Sequence, residues 1–283
     1  MFNDAGCPWG YSANPAFRVL EWRYGAQLEW RLVLIGLTES AAEYVARGAT
    51  PVRSAVRYAG FRRFGMPLAP EPRTRIQGTG RSCRAVVAVR LGAPGREWAA
   101  FRALQRAFFT TTLILDEDDG IAQALAGVGG IDVAAVIAAI DTPAVEAAYQ
   151  RDRAEARTAV GSPTQLQDKH ATWDGPVRYT APSLVFEREG RRLEAGGWQP
   201  VEAYDVVVAN LVPDGVRRPP PDDPGELLVA FPDGLSTQEV AQLLTRGNDA
   251  PDRSAAETAM LELQGVGRAR RLPVGDDALW LPA

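Results

Sequence analysis

Cysteine and histidine are scarce in this sequence of 283 residues, which contains only Cys7, Cys83 and His170. A structural zinc site needs about four such ligands close together. A disulfide framework needs an even set of cysteines at regular spacings. Residues so few and so far apart satisfy neither requirement, so we expect no metal site and no disulfide framework.

Long apolar runs and an excess of basic residues are also missing. No stretch of about eighteen apolar residues occurs, and no basic region followed by an apolar one opens the chain, so we expect neither a membrane-spanning helix nor a secretory signal. A net charge of −4 and a pI near 5.3 argue against nucleic acid or a membrane surface as a partner of the whole protein. The default expectation is a cytoplasmic globular protein.

The segment Gly6-Cys7-Pro8-Trp9-Gly10-Tyr11 precedes a predicted helix, whose apolar residues recur at helical spacing (Phe17, Leu20 and Tyr24). Backbone N–H groups at the start of a helix are unpaired and form the positive end of the helix dipole. A thiol at this position is therefore expected to have a lowered pKa and to react as a thiolate. The alternative is a buried, unreactive thiol, which is how most free cysteines behave.

Cys7-Pro8-Trp9-Gly10-Tyr11 resembles the active-site motif of the DsbA-like branch of the thioredoxin superfamily, in particular the FrnE type, where Cys-Pro-Trp-Cys-Tyr is usual. A second match is Tyr179-Thr180-Ala181-Pro182-Ser183-Leu184-Val185-Phe186, because in that family a cis-proline precedes a strand and faces the active-site sulfur. The resemblance implies an α/β, thioredoxin-like fold with an inserted all-helical domain. It also implies that Cys7 is the catalytic nucleophile and that Pro182 is cis and lies beside it.

The same resemblance implies which residues bind the substrate: Pro8, Trp9, Gly10, Tyr11, Ala181 and Pro182. Trp9 and Tyr11 are expected to supply apolar walls beside the sulfur. The backbone of Ala181 is expected to pair with an extended peptide or with glutathione, and Pro182 to shape the groove.

Gly10 stands where the family usually has a second, resolving cysteine. Cys83 lies some seventy residues away in a predicted helix, and we interpret it as structural. A disulfide within the motif is therefore impossible, and a self-sufficient dithiol oxidase is excluded unless Cys83 lies within bonding distance. The remaining chemistry is a mixed disulfide at Cys7 that an external thiol resolves.

Periodicity predicts the domain boundaries. Apolar residues alternate from 28 to 34, which predicts a strand, whereas residues 39–160 read as a helical insertion domain. Ser183–Glu187 and Arg192–Ala195 predict a hairpin, and Val201–Asn210 predicts a helix. The thioredoxin-like domain is therefore predicted to comprise residues 1–38 and 161–212, with a first strand that is short or missing.

Three patterns in the insertion invite a functional interpretation. Four arginines between Pro51 and Phe64 could bind an anion, although charged side chains mostly face solvent. The acidic run Asp116–Asp119 precedes a helix and suits its positive end better than a metal site. The glycines at 127–130 lack the spacing of a phosphate-binding loop and are typical of the end of a helix.

A proline-rich linker at residues 213–224 precedes a separate segment, residues 225–283, that resembles a winged-helix module. Ser236–Glu239 and Ser254–Glu257 fit the capping-box pattern, and a terminal hairpin follows. Its arginines are diluted by acidic residues, whereas a nucleic-acid-binding face should be distinctly basic. We expect a packing appendage or the interface of a homodimer.

These features favour a DsbA-like thiol-disulfide oxidoreductase that acts through a single cysteine on a protein or small-molecule thiol or disulfide. No tightly bound cofactor is expected, and glutathione is a candidate co-substrate. The first alternative is a glutathione-dependent isomerase or transferase, similar to 2-hydroxychromene-2-carboxylate isomerases and kappa-class glutathione transferases. The second is a scaffold without redox activity, in which the C-terminal segment binds a partner or DNA.

Overall fold

A computed structural model of the protein describes residues 1–172 and 175–283. Its N-terminal part contains β1 (Phe2–Asn3), α1 (Pro8–Ser12), α2 (Asn14–Tyr24) and β2 (Val33–Leu34). A helical stretch follows, with α3 (Ala41–Ala46), α4 (Pro51–Ala59), α5 (Gly80–Gly92), α6 (Glu97–Thr110), α7 (Asp118–Leu125), α8 (Val133–Ala139) and α9 (Pro143–Ala156). The next elements are α10 (Pro163–Leu166), β3 (His170–Ala171), β4 (Arg178–Tyr179), β5 (Ser183–Arg188), β6 (Arg191–Gly196) and α11 (Val201–Leu211). The C-terminal part contains α12 (Gly225–Ala230), β7 (Leu235–Ser236), α13 (Thr237–Leu244), α14 (Arg253–Gly265), β8 (Ala269–Val274) and β9 (Asp277–Pro282).

The main sheet has the strand order β2-β1-β5-β6. Its central strand β1 pairs in parallel with β2, Phe2 opposite Val33, and antiparallel with β5, Phe2 opposite Ser183. The first strand is therefore present but short, as expected. The predicted hairpin of β5 and β6 is confirmed. Its turn residues Glu189 and Gly190 have φ angles of 51° and 78°, the positive values that a two-residue type I′ turn requires.

The predicted strand over residues 28–34 is wrong in its length. Only Val33–Leu34 pairs, because β1 offers just two residues as partners. Leu28 and Trp30 pack against the apolar core instead. The ring of Trp30 stacks on that of Trp98, with 6.5 Å between the centroids.

The predicted first helix is interrupted between α1 and α2. α1 ends at Ser12, and α2 begins at Asn14 with Pro15 as its second residue. Proline has no N–H to donate to the preceding turn, so one continuous helix cannot run through this point. Cys7 is therefore the N-cap of a helix of only five residues.

The helical insertion consists of α3–α9, and its buried centre lies between α5 and α6, around side chains such as Val86, Val89, Phe101 and Leu104. The arginine-rich segment forms α4 and a 3₁₀ turn, Gly60–Phe64. The acidic run begins α7 as expected, with Asp118 and Asp119 in the first turn. Within the described ranges no helix is long and apolar enough to cross a bilayer.

The C-terminal segment, residues 225–283, shares a hydrophobic cluster with the thioredoxin-like part. α13 packs against α2, and the buried side chains of Val240 and Trp280 belong to the same cluster as Phe17 of α2. Arg102 of α6 and Glu239 of α13 form an ion pair of 2.7 Å in which both side chains are buried. The segment is thus packed onto the rest of the protein, whereas the domain boundaries remain a prediction.

The capping-box prediction holds at one of two positions. Ser236 and Glu239 form the reciprocal pair at the start of α13. The pair Ser254–Glu257 is wrong, because α14 starts earlier and Asp252 caps it by accepting a hydrogen bond from the N–H of Ala255 at 2.9 Å. The sequence did not predict α12. The predicted terminal hairpin is confirmed and consists of β8 and β9.

Candidate functional site

Cys7 and the Ala181–Pro182 bond meet at one edge of the main sheet. β1 leads toward Cys7 and β5 starts directly after Pro182, and because the two strands are antiparallel these ends lie side by side. The Sγ–H of Cys7 donates a hydrogen bond to the carbonyl oxygen of Ala181 at 3.1 Å. The Ala181–Pro182 bond is cis. The expectation of a cis-proline beside Cys7 is therefore confirmed.

The electrostatic expectation for Cys7 is wrong. Burial raises the pKa of the Cys7 thiol to about 12, because the thiolate would lose its hydration. The N–H groups of Gly10 and Trp9 and the charge of Arg178 lower this pKa, whereas the carboxylate of Asp4 raises it further. The short α1 does not outweigh burial, so the resting site holds a neutral thiol.

Asp4 is the buried acid of this site. Its carboxylate accepts hydrogen bonds from the N–H of Gly6 at 2.9 Å, the N–H of Leu37 at 2.8 Å and the hydroxyl of Thr79 at 3.1 Å. Burial raises the pKa of Asp4, and these donors lower it. Asp4 therefore fixes the turn that carries Cys7 while its charge opposes ionisation of the thiol.

Cys83 contacts Asp4. Its Sγ is 3.5 Å from Oδ2 of Asp4, and its side chain is fully buried in α5. Both cysteines are free thiols, and burial raises the pKa of Cys83 well above its usual value. The interpretation of Cys83 as a structural residue agrees with these surroundings.

A cavity of about 700 Å³ opens beside Cys7, which is within the range of small-molecule sites. Its walls come from the Cys7 motif, from α3 and α4, from residues 73–77 and from the segment around Ala181. Among the described residues that line it, none is Asp or Glu, and six are arginines: Arg47, Arg53, Arg57, Arg73, Arg75 and Arg178. The arrangement offers a thiol, a main-chain carbonyl and a cationic wall to one ligand.

The predicted substrate residues divide into two groups. Pro8, Trp9 and Ala181 line the cavity. Tyr11 does not form the expected wall, because its side chain is buried elsewhere, stacked on Phe109 with 4.8 Å between centroids. Its hydroxyl donates to the carbonyl of Pro67 at 2.9 Å, so Tyr11 holds the connector after α4.

Gly10, the remaining residue of the motif, lies inside α1 against the side chain of Asn3. A Cβ atom at position 10 would lie 2.0 Å from Oδ1 of Asn3. Asn3 is fully buried and its Oδ1 accepts the N–H of Asp4 at 2.9 Å. The missing second cysteine is therefore matched by a neighbour that occupies its space.

Trp9 joins the cavity to an aromatic group. Its ring lies 5.0 Å from that of Phe61 and 5.4 Å from that of Phe64, both in the 3₁₀ turn after α4, and 6.5 Å from that of Trp198. Trp9 remains 37 % exposed. An apolar wall beside the sulfur is therefore present, but Trp9, not Tyr11, provides it.

Sequence reasoning missed the arginines outside α4. Arg73 and Arg75 follow a proline-rich connector in an irregular stretch, where periodicity gives no direction for a side chain. Arg178 directly precedes the second family motif, which is the one signal that could have drawn attention to it. In the described ranges no three His, Cys, Asp or Glu side chains are grouped to hold a metal ion.

The fold and the Cys7–cis-proline pair define a thioredoxin-like protein of the DsbA type. A family model, the DSBA-like thioredoxin domain, matches residues 1–181, and the chain belongs to this family. The comparison with curated proteins gives no match.

Solved structures of DsbA-like proteins share the fold. A putative protein disulfide isomerase from Nitrosomonas europaea is 18 % identical, with a TM-score of 0.56 over 75 % of this chain and 96 % of that one. The cytosolic disulfide reductase DsbM from Pseudomonas aeruginosa is 17 % identical, with a TM-score of 0.51 over 74 % and 96 %, and is also known with GSH. A probable DsbA oxidoreductase from Streptomyces coelicolor is 18 % identical, with a TM-score of 0.53 over 75 % and 88 %. At these identities the likeness concerns the fold alone.

Proposed function

We propose that this protein is a thiol-disulfide oxidoreductase that works with one cysteine, Cys7, on a ligand bound in the adjacent cavity. The observation that carries the proposal is the 3.1 Å contact between Sγ of Cys7 and the carbonyl of Ala181, next to a cavity large enough for a small molecule. The disulfide reductase and isomerase names of its structural neighbours support the same reaction class.

The exchange takes place in two steps. The Cys7 thiol loses its proton, its sulfur attacks one sulfur of a bound disulfide RS–SR′, and R′S⁻ leaves and takes up a proton as R′SH. A second thiol then attacks the Cys7–S–SR bond, which restores the Cys7 thiol and releases a new disulfide. No second protein cysteine is needed.

The resting hydrogen bond explains how a substrate engages the site. The carbonyl of Ala181 accepts the Cys7 Sγ–H in the resting state. A substrate N–H that binds this carbonyl replaces the thiol as its donor and frees the sulfur. The N–H groups of Gly10 and Trp9 and the charge of Arg178 then favour the thiolate. Glutathione is the proposed co-substrate. The proposed compartment is the cytoplasm, where glutathione keeps thiols reduced.

A coupled assay tests this function. Reduction of 2-hydroxyethyl disulfide by glutathione is followed through NADPH oxidation by added glutathione reductase. We expect turnover with the wild type and with Cys83→Ser, and none above background with Cys7→Ser. Equal rates for Cys7→Ser and wild type would reject the proposal.

The neutral thiol favours one second candidate. A protonated Cys7 Sγ–H is a hydrogen-bond donor, which is the state needed to hold the thiolate of bound glutathione in a glutathione-dependent isomerase or transferase. Glutathione that binds as a thiolate, seen as an ultraviolet difference band lost in Cys7→Ala, without any mixed disulfide on Cys7, would favour this candidate over the first.

A further inference from the structure

We propose that the thiol or disulfide that reacts at Cys7 is a small molecule with a negatively charged group, a carboxylate or a phosphate, which Arg73 and Arg57 bind. This inference rests on the proposed function for the reaction, whereas the binding itself depends only on the cavity wall.

Arg73 is a partly buried cation without an acidic partner among the described residues. Its Nε donates to the carbonyl of Leu113 at 3.1 Å, and its Nη2 donates to the carbonyls of Thr111 at 3.0 Å and of Phe108. Its guanidinium lies 5.0 Å from the ring centroid of Phe108. These contacts hold Nε and Nη2 in place, and no described group accepts a hydrogen bond from Nη1.

Burial without a counter-ion lowers the pKa of Arg73. A buried charge is costly unless it is paired, and main-chain carbonyls satisfy its donors without neutralising it. An anion in the cavity would supply the missing charge. Because Arg73 and Cys7 line the same cavity, one ligand can reach both.

Arg75 provides the contrast within the same wall. Its guanidinium is 2.6 Å from carboxylate oxygens of both Asp116 and Glu117. Arg75 is therefore neutralised by the protein itself. Arg73 and Arg75 are only two residues apart. The charge of Arg73 remains available to a ligand in the cavity, whereas the ion pairs of Arg75 stabilise the fold.

Arg57 extends the cationic surface onto α4. It is exposed, it lines the cavity, and no carboxylate in residues 1–172 or 175–283 pairs with it. Arg53, one turn earlier, donates from Nη1 to the carbonyl of Gly48 at 3.0 Å. Two arginines one turn apart on a helix point along the same face, so α4 adds charge at the cavity wall rather than at the outer surface alone.

Three small disulfides that differ in charge test the inference: 3,3′-dithiodipropionate with two carboxylates, neutral 2-hydroxyethyl disulfide, and cystamine with two ammonium groups. Intact-mass spectrometry measures the rate at which each forms an adduct on Cys7. We expect the dianion to react fastest and the dication slowest. Removal of a hydrogen bond to a charged group should reduce the dianion-to-neutral rate ratio about 10-fold in Arg73→Gln. Because the leaving thiols differ in pKa, each rate is divided by the rate of the same disulfide with a free thiol. Equal normalised rates for all three in the wild type would overturn the inference.

Arg57→Gln is the companion variant, because Arg73 also holds the C-terminal end of α6 and its replacement can disturb folding. Arg57→Gln should reduce the same ratio by about 3-fold, as expected for a more exposed charge. Arg270→Gln, on β8 away from the cavity, is the matched control and should leave the ratio unchanged. A ratio unchanged in Arg57→Gln and in folded Arg73→Gln would contradict the assignment.

Calorimetry on Cys7→Ser separates binding from chemistry. Suppose that Cys7→Ser binds 3,3′-dithiodipropionate more tightly than 2-hydroxyethyl disulfide, while the wild type forms no adduct with either. This result would support the anion site and reject the proposed reaction. Adducts on Cys7 that form without any charge preference would support the proposed reaction and reject the anion site. Competition by inorganic phosphate or by acetate identifies the charged group, and failure of both to compete would count against the site.

Discussion

Cys7 and Cys83 are two buried thiols whose pKa values are both raised by burial and by the charge of Asp4. Cys83 is a residue of α5, lies in the core of the helical insertion and contacts the carboxylate of Asp4. The Cys7 sulfur contacts a main-chain carbonyl and accepts hydrogen bonds from N–H groups of α1. It also borders a cationic cavity. Burial raises the pKa of both thiols, whereas only Cys7 borders the cavity, which is why we propose Cys7 and not Cys83 as the reactive thiol.

The largest expected effect is the pH dependence of Cys7 alkylation. Burial raises the pKa of Cys7 from about 9 to about 12, which leaves on the order of 1000-fold less thiolate at pH 7. Because the folded pKa is raised, the rate with iodoacetamide should rise about tenfold per pH unit well past pH 9. Mass spectrometry on Cys83→Ser isolates the signal of Cys7. A rate that levels off near pH 7 would refute the buried, neutral thiol.

Asp4→Asn should bring Cys7 closer to reactivity. Removal of the negative charge lowers the pKa of Cys7, because Asp4 raises it in the folded protein. We expect alkylation at pH 8 to accelerate about 10-fold, which corresponds to a pKa change of about one unit. Asp152→Asn is the control, since Asp152 is also a buried acid but interacts with Arg90 and Leu34. If alkylation of Cys7 accelerated equally in both variants, the cause would be loosened packing and not the lost charge of Asp4.

Gly10→Cys tests why the second cysteine is absent. The new side chain would collide with Asn3, so we expect the free energy of unfolding to fall by about 1–3 kcal/mol, as for other overpacked sites. Gly10→Ser is the matched control and should be destabilised similarly, since its Cβ meets the same atom. Asn3→Ala combined with Gly10→Cys should relieve the collision and permit a disulfide between residues 7 and 10. Full stability of Gly10→Cys in urea titration would contradict this explanation.

The smallest effect concerns the contact between the C-terminal hairpin and the connector after α4. The Asp276 carboxylate accepts the N–H of Leu68 at 2.8 Å and pairs with Arg62 at 3.1 Å. Asp276→Ala should cost about 1 kcal/mol, as for a part-buried hydrogen bond. Asp222→Ala removes a fully exposed pair with Arg246 and should change the melting temperature little. Equal melting temperatures for both variants would argue against a docked hairpin.

Periodicity was sufficient to predict many of the helices, and the resemblance of two local motifs to the DsbA-like family implied both the family and the cis-proline beside Cys7. The sequence could not predict the pKa of Cys7, since burial depends on side chains distant in sequence, such as Val33 and Tyr179, that share a buried cluster with the sulfur. Nor could it predict which of Trp9 and Tyr11 lines the cavity, because this depends on the direction in which the short helix α1 points each side chain. Pairing of residues 28–34 was overestimated, because the length of a strand is limited by its partner β1.

The sequence left open whether the C-terminal segment packs onto the rest of the protein or forms a homodimer interface, and it could not predict the contacts that hold the segment. A proline-rich linker predicts a separate module, but Trp22 donates its Nε1–H to the carbonyl of Pro219 at 2.7 Å. The guanidinium of Arg218 lies 3.3 Å from the ring centroid of the same tryptophan. The linker is therefore held on α2, and only tertiary contacts reveal it.

The most direct test of the account is the intact mass of the protein after exposure to oxidised glutathione, measured for the wild type, Cys7→Ser and Cys83→Ser. We expect one glutathione adduct on the wild type and on Cys83→Ser, released by added thiol, and none on Cys7→Ser. An adduct that persists in Cys7→Ser, or a wild type that stays unmodified while it turns over disulfide, would contradict the central role of Cys7.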